Sequence, residues 1–206
     1  MDIHADLLQR RRIDATSAGI HLTTAEFDAL EEEDVDESYR YELVDRVLVV
    51  TPLEGPANAD PNDYIGHLLR TYQETQPQGG CLDKTLPERY IHLPNSRRKP
   101  DRVIWIGLGR IPDMRSDVPT IAIEFVSSGK RSWLRDYVEK RAEYLAQGVQ
   151  EYWVIDRFER CLSVFTPGVI GPRELIVREG DAYRTPLLPG FELPLAKVLA
   201  VADEWS

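Results

Sequence analysis

A single glutamate inside an apolar segment is the feature that most constrains this chain. The segment TIAIEFV, residues 120–126, has the β-branched content of a buried β-strand, and Glu124 lies in its middle. Burying a carboxylate is unfavourable unless a cation or hydrogen-bond donors accompany it. If Glu124 is catalytic, a second carboxylate and a cation must come from other parts of the sequence.

A second acid follows a proline. In RKPDRVIWIG, Pro100 stands directly before Asp101, and an apolar run follows. Proline lacks the N–H that a central strand needs, so it marks the start or the edge of a strand. Asp101 is therefore expected at the start of that strand. If the strands predicted over 101–107 and 120–126 pair as neighbours, Asp101 and Glu124 come together.

The chemistry of such a pair depends on a cation. Two carboxylates at one site repel each other, and one normally takes up a proton. Mg²⁺ binds oxygen ligands and water, lowers the pKa of a bound water and stabilises charge on a phosphoryl group. Asp101 and Glu124 therefore indicate a centre for phosphodiester hydrolysis with Mg²⁺ or Mn²⁺. The alternatives are that Glu124 pairs with an arginine or caps an edge strand, and that Asp101 is a turn residue.

The lysine that such nuclease sites use is not in its usual place, two residues after the second acid, where the sequence has Val126. The following segment, DYVEKRAEY, has Asp136, Lys140 and Tyr144 at i, i+4 and i+8, on one face of a helix predicted from about 132 to 147. Lys140 lies toward the border of the buried face, from where its ammonium could reach the strand-borne acids. The alternative is a surface ion pair between Asp136 and Lys140.

Hydrophobic periodicity and turn residues predict an α/β or α+β domain with a mixed sheet. Thr23 and Glu26 form a capping-box pattern, and a turn is predicted at Asp45 and Arg46. A helix is predicted to begin near Asn62, after a loop over 51–61. Strands are predicted over 41–50, 88–93, 101–107, 120–126, 151–156 and 161–166, and a hairpin or strand plus a short packing segment over 180–199.

Length and composition fit one globular domain, because 206 residues with 42% hydrophobic content can bury a sizeable core. We expect a polar N-terminal extension over 1–20 and a single domain over 21–206. No run approaches the roughly 18 apolar residues of a membrane helix, so no membrane partner is expected. Cys81 and Cys161 lack metal-ligand spacing and are interpreted as reduced thiols of a cytoplasmic protein.

The net charge of −10 argues against a general basic coat for nucleic acid, but it leaves room for local basic patches. One patch is Arg97, Arg98 and Lys99, just before the first acid, and Lys130 opens another. These four residues are candidates for contacts to a DNA backbone. The alternative is that both stretches are solvated loops.

Several segments together resemble the Uma-two family of restriction endonucleases, which belongs to the PD-(D/E)xK nuclease-like superfamily. The resemblance extends from about Leu22 to the C-terminus and rests on the order and spacing of LTTAEFDAL, RYELVD, PDRVIW, IAIEFVS, DYVEKRAEYLAQGVQEYWVID and LLPGFELPL. It implies a restriction-endonuclease-like core, a mixed β-sheet flanked by helices, in a cytoplasmic homodimer.

The resemblance also implies an activity, Mg²⁺-dependent cleavage of DNA by an endonuclease. Asp101 matches the aspartate of the Pro-Asp motif, Glu124 the second acid, and Lys140 a lysine moved onto the following helix. Glu42 matches an acid of the early strand that would be a further ligand or an orienting group. Two alternatives stay open: a non-catalytic binding or regulatory module that kept the nuclease fold, and a hydrolase for another phosphate-containing substrate.

Overall fold

The computed structural model describes residues 12–205. The chain divides into two compact units, the first containing the residues up to Leu53 together with His92–Lys99, and the second Glu54–Ile91 and the residues from Pro100 onward. The predicted extension over 1–20 lies largely outside the described residues, and the single domain over 21–206 stays a prediction. Across the described part of the chain, no helix is both long enough and apolar enough to cross a membrane.

Runs of strands separate the helices along the chain, which confirms the predicted mixture of α and β structure. Helices α1 to α4 occupy Thr24–Asp28, Pro56–Thr75, residues 130–147 and Leu195–Asp203. Strands β1 to β12 occupy Tyr39–Val44, Val47–Pro52, Leu82–Pro87, Ile91–His92, Arg97–Arg98, Arg102–Ile106, Ile121–Phe125, Glu151–Asp156, Cys161–Thr166, Arg173–Arg178, Ala182–Tyr183 and Leu193–Pro194.

The first unit is organised by a four-stranded sheet with the order β2-β1-β5-β4. Strands β1 and β2 form an antiparallel hairpin, and its turn residues Asp45 and Arg46 have φ values of 46° and 67°. Two residues with positive φ match the right-handed twist of a hairpin, which confirms the predicted turn. Thr23 caps α1 through reciprocal hydrogen bonds with Glu26, so the predicted capping box is also confirmed.

The second unit contains a six-stranded mixed sheet with the order β10-β9-β8-β7-β6-β3. Strands β7 and β8 are parallel, because α3 connects them, and the other neighbouring pairs are antiparallel. Helices α2 and α4 share one hydrophobic core with the sheet, to which they contribute Ile65, Leu69, Val198 and Leu199. Helix α3 packs on the opposite face, where Tyr144 meets Tyr152 edge to face.

The structure corrects several predicted boundaries. Helix α2 begins at Pro56 rather than near Asn62, with Gly55 as its N-cap. Proline is tolerated at the first helical position because a backbone N–H there has no intrahelical acceptor. Thr51 and Pro52 belong to β2, so only residues 53–55 of the loop predicted over 51–61 lie outside helix and strand. Of the strand predicted over 88–93, only Ile91–His92 is formed. The sequence patterns also miss β3, β5 and β10.

A buried arginine joins α2 to the sheet. Arg102 donates from Nε to Asn62 Oδ1 at 2.7 Å, from Nη2 to the Asn62 carbonyl at 2.8 Å and from Nη1 to Thr85 Oγ1 at 3.1 Å. Burial lowers the pKa of Arg102 to about 10, and the nearby charge of Asp63 opposes this change. The guanidinium also passes so close to Gly66 that a Cβ there would lie 2.7 Å from Nη2.

This contact predicts that Gly66→Ala destabilises the protein although it lies in a helix. Helix propensity alone would favour alanine by about 1 kcal/mol. The added Cβ must instead displace a buried, hydrogen-bonded guanidinium, and hydrogen bonds to a charged group contribute about 1.5–3 kcal/mol each. We expect the free energy of unfolding, measured in urea, to fall by a net amount of roughly 1–3 kcal/mol.

Gly80→Ala is the matched control, because a Cβ at Gly80 has no neighbouring atom within 4 Å and Gly80 has no positive φ. Its effect should stay within about 0.5 kcal/mol. If the Gly66→Ala protein is as stable as the control, or more stable than the wild type, the close packing of the Arg102 guanidinium against Gly66 is contradicted.

Candidate active site

The two predicted acids lie at facing positions on neighbouring strands. Strands β6 and β7 are antiparallel with Arg102 opposite Ile123, and continuing that register by one residue sets Asp101 opposite Glu124. Both residues are 1% exposed. Asp101 Oδ2 accepts a hydrogen bond of 2.7 Å from the backbone N–H of Phe125, next to Glu124. The strand pairing therefore follows the sequence prediction.

Lys140 reaches Glu124 from α3. Its Nζ lies 2.7 Å from Glu124 Oε1, and the Tyr144 hydroxyl donates to the same oxygen at 3.1 Å. Lys140 is only 2% exposed, so it is fully buried rather than at the border of the buried face. The valine at position 126 is also buried, and the helix thus provides the ammonium that β7 lacks.

The helix that carries Lys140 contains a π-helical turn, Arg135–Lys140, between two α-helical segments. Asp136, the second residue of this turn, is buried, with Oδ1 3.6 Å from Lys140 Nζ and 3.0 Å from Arg135 Nε. The surface-pair alternative for Asp136 and Lys140 is wrong, because both side chains are buried. Single π-helical turns within α-helices often occur at functional sites.

Tyr152 on β8 lies beside these charges. Its hydroxyl donates to the Asp136 carbonyl at 2.9 Å, and its ring meets Tyr144 with centroids 5.2 Å apart. Burial raises the pKa of Tyr152 well above its usual value, and the charges of Glu124, Asp136 and Asp101 raise it further. Tyr152 therefore stays a protonated donor beneath an acidic cluster.

Asn62 holds the backbone of the first acid. Its Nδ2 donates to the Asp101 carbonyl at 2.8 Å, while its Oδ1 accepts from Arg102. From the sequence, Asn62 is predicted only as a helix start, and Arg102 and Tyr152 are not predicted as site residues. Local patterns cannot find these three, because their contacts join positions far apart in the sequence.

The other predicted residues lie in the first unit, apart from Lys130. Glu42 Oε1 accepts from the Lys99 backbone N–H at 2.7 Å, and its Oε2 is 3.7 Å from Arg98 Nη1. Arg97 makes a two-pronged ion pair with Asp28, with both bonds at 2.7 Å.

Exposure separates the four predicted DNA-contacting side chains into two groups. Arg97 and Arg98 are buried and form ion pairs, so in this arrangement their guanidinium groups are not accessible to a phosphate of DNA. Lys99 is half-buried, and Lys130 is exposed at the start of α3.

The residues around Glu124 fit Mg²⁺ better than Zn²⁺. The facing carboxylates are oxygen donors, and Mg²⁺ needs only one or two carboxylates because it keeps several waters. The Asp101 carboxylate accepts a hydrogen bond from the Phe125 N–H, and the Glu124 carboxylate accepts from Lys140 and Tyr144. Within residues 12–205, no group of three or more His, Cys, Asp or Glu residues is arranged to hold a metal ion, so water would complete the coordination.

The buried ion pair predicts a large effect for Lys140→Met. This change leaves Glu124 buried without its cation, which costs about 3–5 kcal/mol in comparable sites. We expect the free energy of unfolding at neutral pH to fall by that amount in urea titrations. The double variant Glu124→Gln/Lys140→Met should recover part of the loss, because neither charge then remains.

Lys197→Met on α4 is the matched control, since Lys197 is an exposed helical lysine. Its effect should be within about 0.5 kcal/mol. Equal effects of the two lysine substitutions would contradict the buried pair.

Comparison with known proteins identifies the family. A solved structure described as "a putative nuclease belonging to DUF820 from Anabaena variabilis ATCC 29413" matches with a TM-score of 0.68 and 14% identity, covering 88% of this chain and 99% of that chain. The match confirms the predicted nuclease-like fold. No curated protein matches the chain at a significant level. The family profile of Uma2, described as "Putative restriction endonuclease", matches residues 24–196. Since that match spans most of the sequence, the chain belongs to the Uma2 family.

Proposed function

We propose that this protein is a Mg²⁺-dependent DNA endonuclease of the PD-(D/E)xK type. The observation that carries the proposal is the position of Lys140, whose Nζ lies 2.7 Å from the carboxylate of Glu124. A lysine on the following helix would thus serve in place of the lysine that the strand lacks at position 126. Membership of a family described as "Putative restriction endonuclease" supports a nuclease.

Each residue of the site has a proposed role. Asp101 and Glu124 would hold the metal, with Mn²⁺ as a substitute. Mg²⁺ held there would supply a water of lowered pKa and would offset charge on the phosphoryl group. Lys140 orients the attacking water or offsets phosphate charge, and Tyr144 fixes the direction of the Glu124 carboxylate through its hydrogen bond.

Further residues complete the proposal. Glu42 is proposed as an orienting group, on the strength of the family resemblance. Lys99 and Lys130 are proposed to contact the DNA backbone, because they are more accessible than Arg97 and Arg98. The resemblance further supports a cytoplasmic homodimer.

Cleavage of plasmid DNA in the presence of Mg²⁺ tests the activity. We expect Asp101→Asn and Glu124→Gln each to reduce the rate on the order of a hundredfold or more, because each removes a carboxylate that would hold the ion. Both substitutions keep the size of the side chain. The rate is measured from the loss of supercoiled DNA over time.

Asp181→Asn is the control for that experiment, because Asp181 is an exposed aspartate in the turn after β10. It should cleave at the wild-type rate. Absence of cleavage by the wild-type protein on plasmid, linear and single-stranded DNA would refute the activity, and so would equal rates in all four proteins.

A non-catalytic module that kept the nuclease fold is the second candidate. One observation favours it: Glu124 Oε1 is already compensated by Lys140 and Tyr144, so the carboxylate has a stable environment without a metal ion. A hydrolase for another phosphate-containing substrate is a third candidate, and adding RNA and nucleotides to the cleavage assay addresses it.

Titration calorimetry separates the nuclease from the non-catalytic module. If the acids form a metal site, the wild type binds Mg²⁺ or Mn²⁺ and Glu124→Gln abolishes the binding heat, because a neutral amide is a weaker ligand for a hard cation. Asp181→Asn should leave the heat unchanged. Lack of any heat that depends on Glu124 would favour the non-catalytic module.

A further inference from the structure

The outer edge strand of the six-stranded sheet, β10, carries two exposed apolar side chains. Leu175 and Ile176 are 54% and 48% exposed, although consecutive residues of a strand point to opposite faces. Within residues 12–205, no strand pairs with this edge. An uncovered strand edge presents backbone donors and acceptors that can pair with another chain.

The other edge of the same sheet, β3, is protected. Arg70 and Gln73 on α2 donate side-chain hydrogen bonds to the carbonyl groups of Thr85 and Leu82 on this strand. Strand β10 has neither lysine nor proline, and the residues of β10 that can limit unspecific edge pairing are its three charged ones, Arg173, Glu174 and Arg178. The contrast indicates that the β10 edge is kept open for a partner strand.

Trp133 adds to the apolar surface on one face of this edge. It is 45% exposed and stacks on Tyr137, which meets Phe165 of β9 edge to face. Phe165 and Ser163 are two residues apart and therefore share this face, and Ile176 is paired with Ser163. Trp133 and Ile176 thus belong to the same face of the sheet.

The charges along β10 are complementary to those of a second β10. In an antiparallel pair centred on Ile176, Glu174 of each copy lies opposite Arg178 of the other, and Ile176 lies opposite itself. A register shifted to the midpoint between Leu175 and Ile176 would instead set Arg173 opposite Arg178, a pair of like charges. Opposite charges on facing strands stabilise the pair and like charges destabilise it.

We propose that two copies of this protein pair antiparallel along β10, with the two-fold axis at Ile176. The two sheets then form one continuous sheet, closed by a self-complementary interface. Two symmetric Glu174–Arg178 pairs fix the register, and Ile176 and Trp133 supply the apolar contact on one face. The inference does not depend on nuclease activity, because none of these residues belongs to the site around Glu124.

Sedimentation equilibrium of the full chain tests the interface through a charge exchange. The wild type should sediment with twice the mass of the chain. Glu174→Arg and Arg178→Glu should each raise the dissociation constant roughly tenfold, since each sets two like pairs in contact. The double variant Glu174→Arg/Arg178→Glu should restore wild-type affinity, because it exchanges the two charges within each pair.

Two further variants sharpen the test. Ile176→Arg places two guanidinium groups on the axis and should give monomers, while its melting temperature shows whether the fold is retained. Glu204→Arg makes the same charge change as Glu174→Arg at an exposed position of the C-terminal end and should leave the dimer intact. A monomeric wild type, a dimer that the single reversals leave unweakened, or a double variant no better than the singles would each overturn the proposal.

Discussion

The ion pair between Lys140 and Glu124 joins α3 to the sheet at a point where neither residue touches solvent. Removing two opposite charges from water is costly, and their mutual attraction compensates only where the geometry is good and further hydrogen bonds are present. Tyr144 supplies such a bond to Glu124, and Asp136 places a second carboxylate near the ammonium. The packing of α3 on the sheet therefore depends on polar contacts as well as on its aromatic residues.

The surroundings of that pair are acidic. Asp101, Glu124 and Asp136 all raise the pKa of Tyr152, which places three carboxylates within electrostatic reach of one buried hydroxyl. The chain as a whole carries a net charge of −10. The negative potential of this site would repel the phosphates of DNA unless nearby cations offset it. The proposed Mg²⁺ and Lys140 would supply that positive charge.

The sequence predicts the parts of this fold that depend on local patterns. Strands β8 and β9 are predicted with their observed limits, because each is a continuous run of β-forming residues. Glu124 is found because a carboxylate in such a run is anomalous, and Lys140 because of its spacing from Asp136. The depth of Lys140 is not predicted, since helical spacing assumes α geometry and the helix is π-helical there.

Local sequence patterns do not predict contacts between segments that are far apart in the sequence. Asn62 and Arg102 are 40 residues apart, and only the packing of α2 on β6 brings their side chains together. Arg97 resembles a solvated basic residue in the sequence, but Asp28, 69 residues earlier, pairs with it in the folded chain. Strand β10 is not predicted from the sequence because its residues do not alternate between apolar and polar.

The π-helical turn of α3 has a consequence for how the chain tolerates changes in length. A π turn accommodates one residue more than an α turn, so Arg135–Lys140 has the geometry of a one-residue insertion in an otherwise regular helix. A chain that lost a residue there could return to a regular α-helix. The residues on either side would then keep their orientation, and the acid and the lysine, now three positions apart, would still share one face of the helix. For relatives of this protein, the spacing between these two positions can thus change by one residue while the acid and the lysine stay on the same side of the helix.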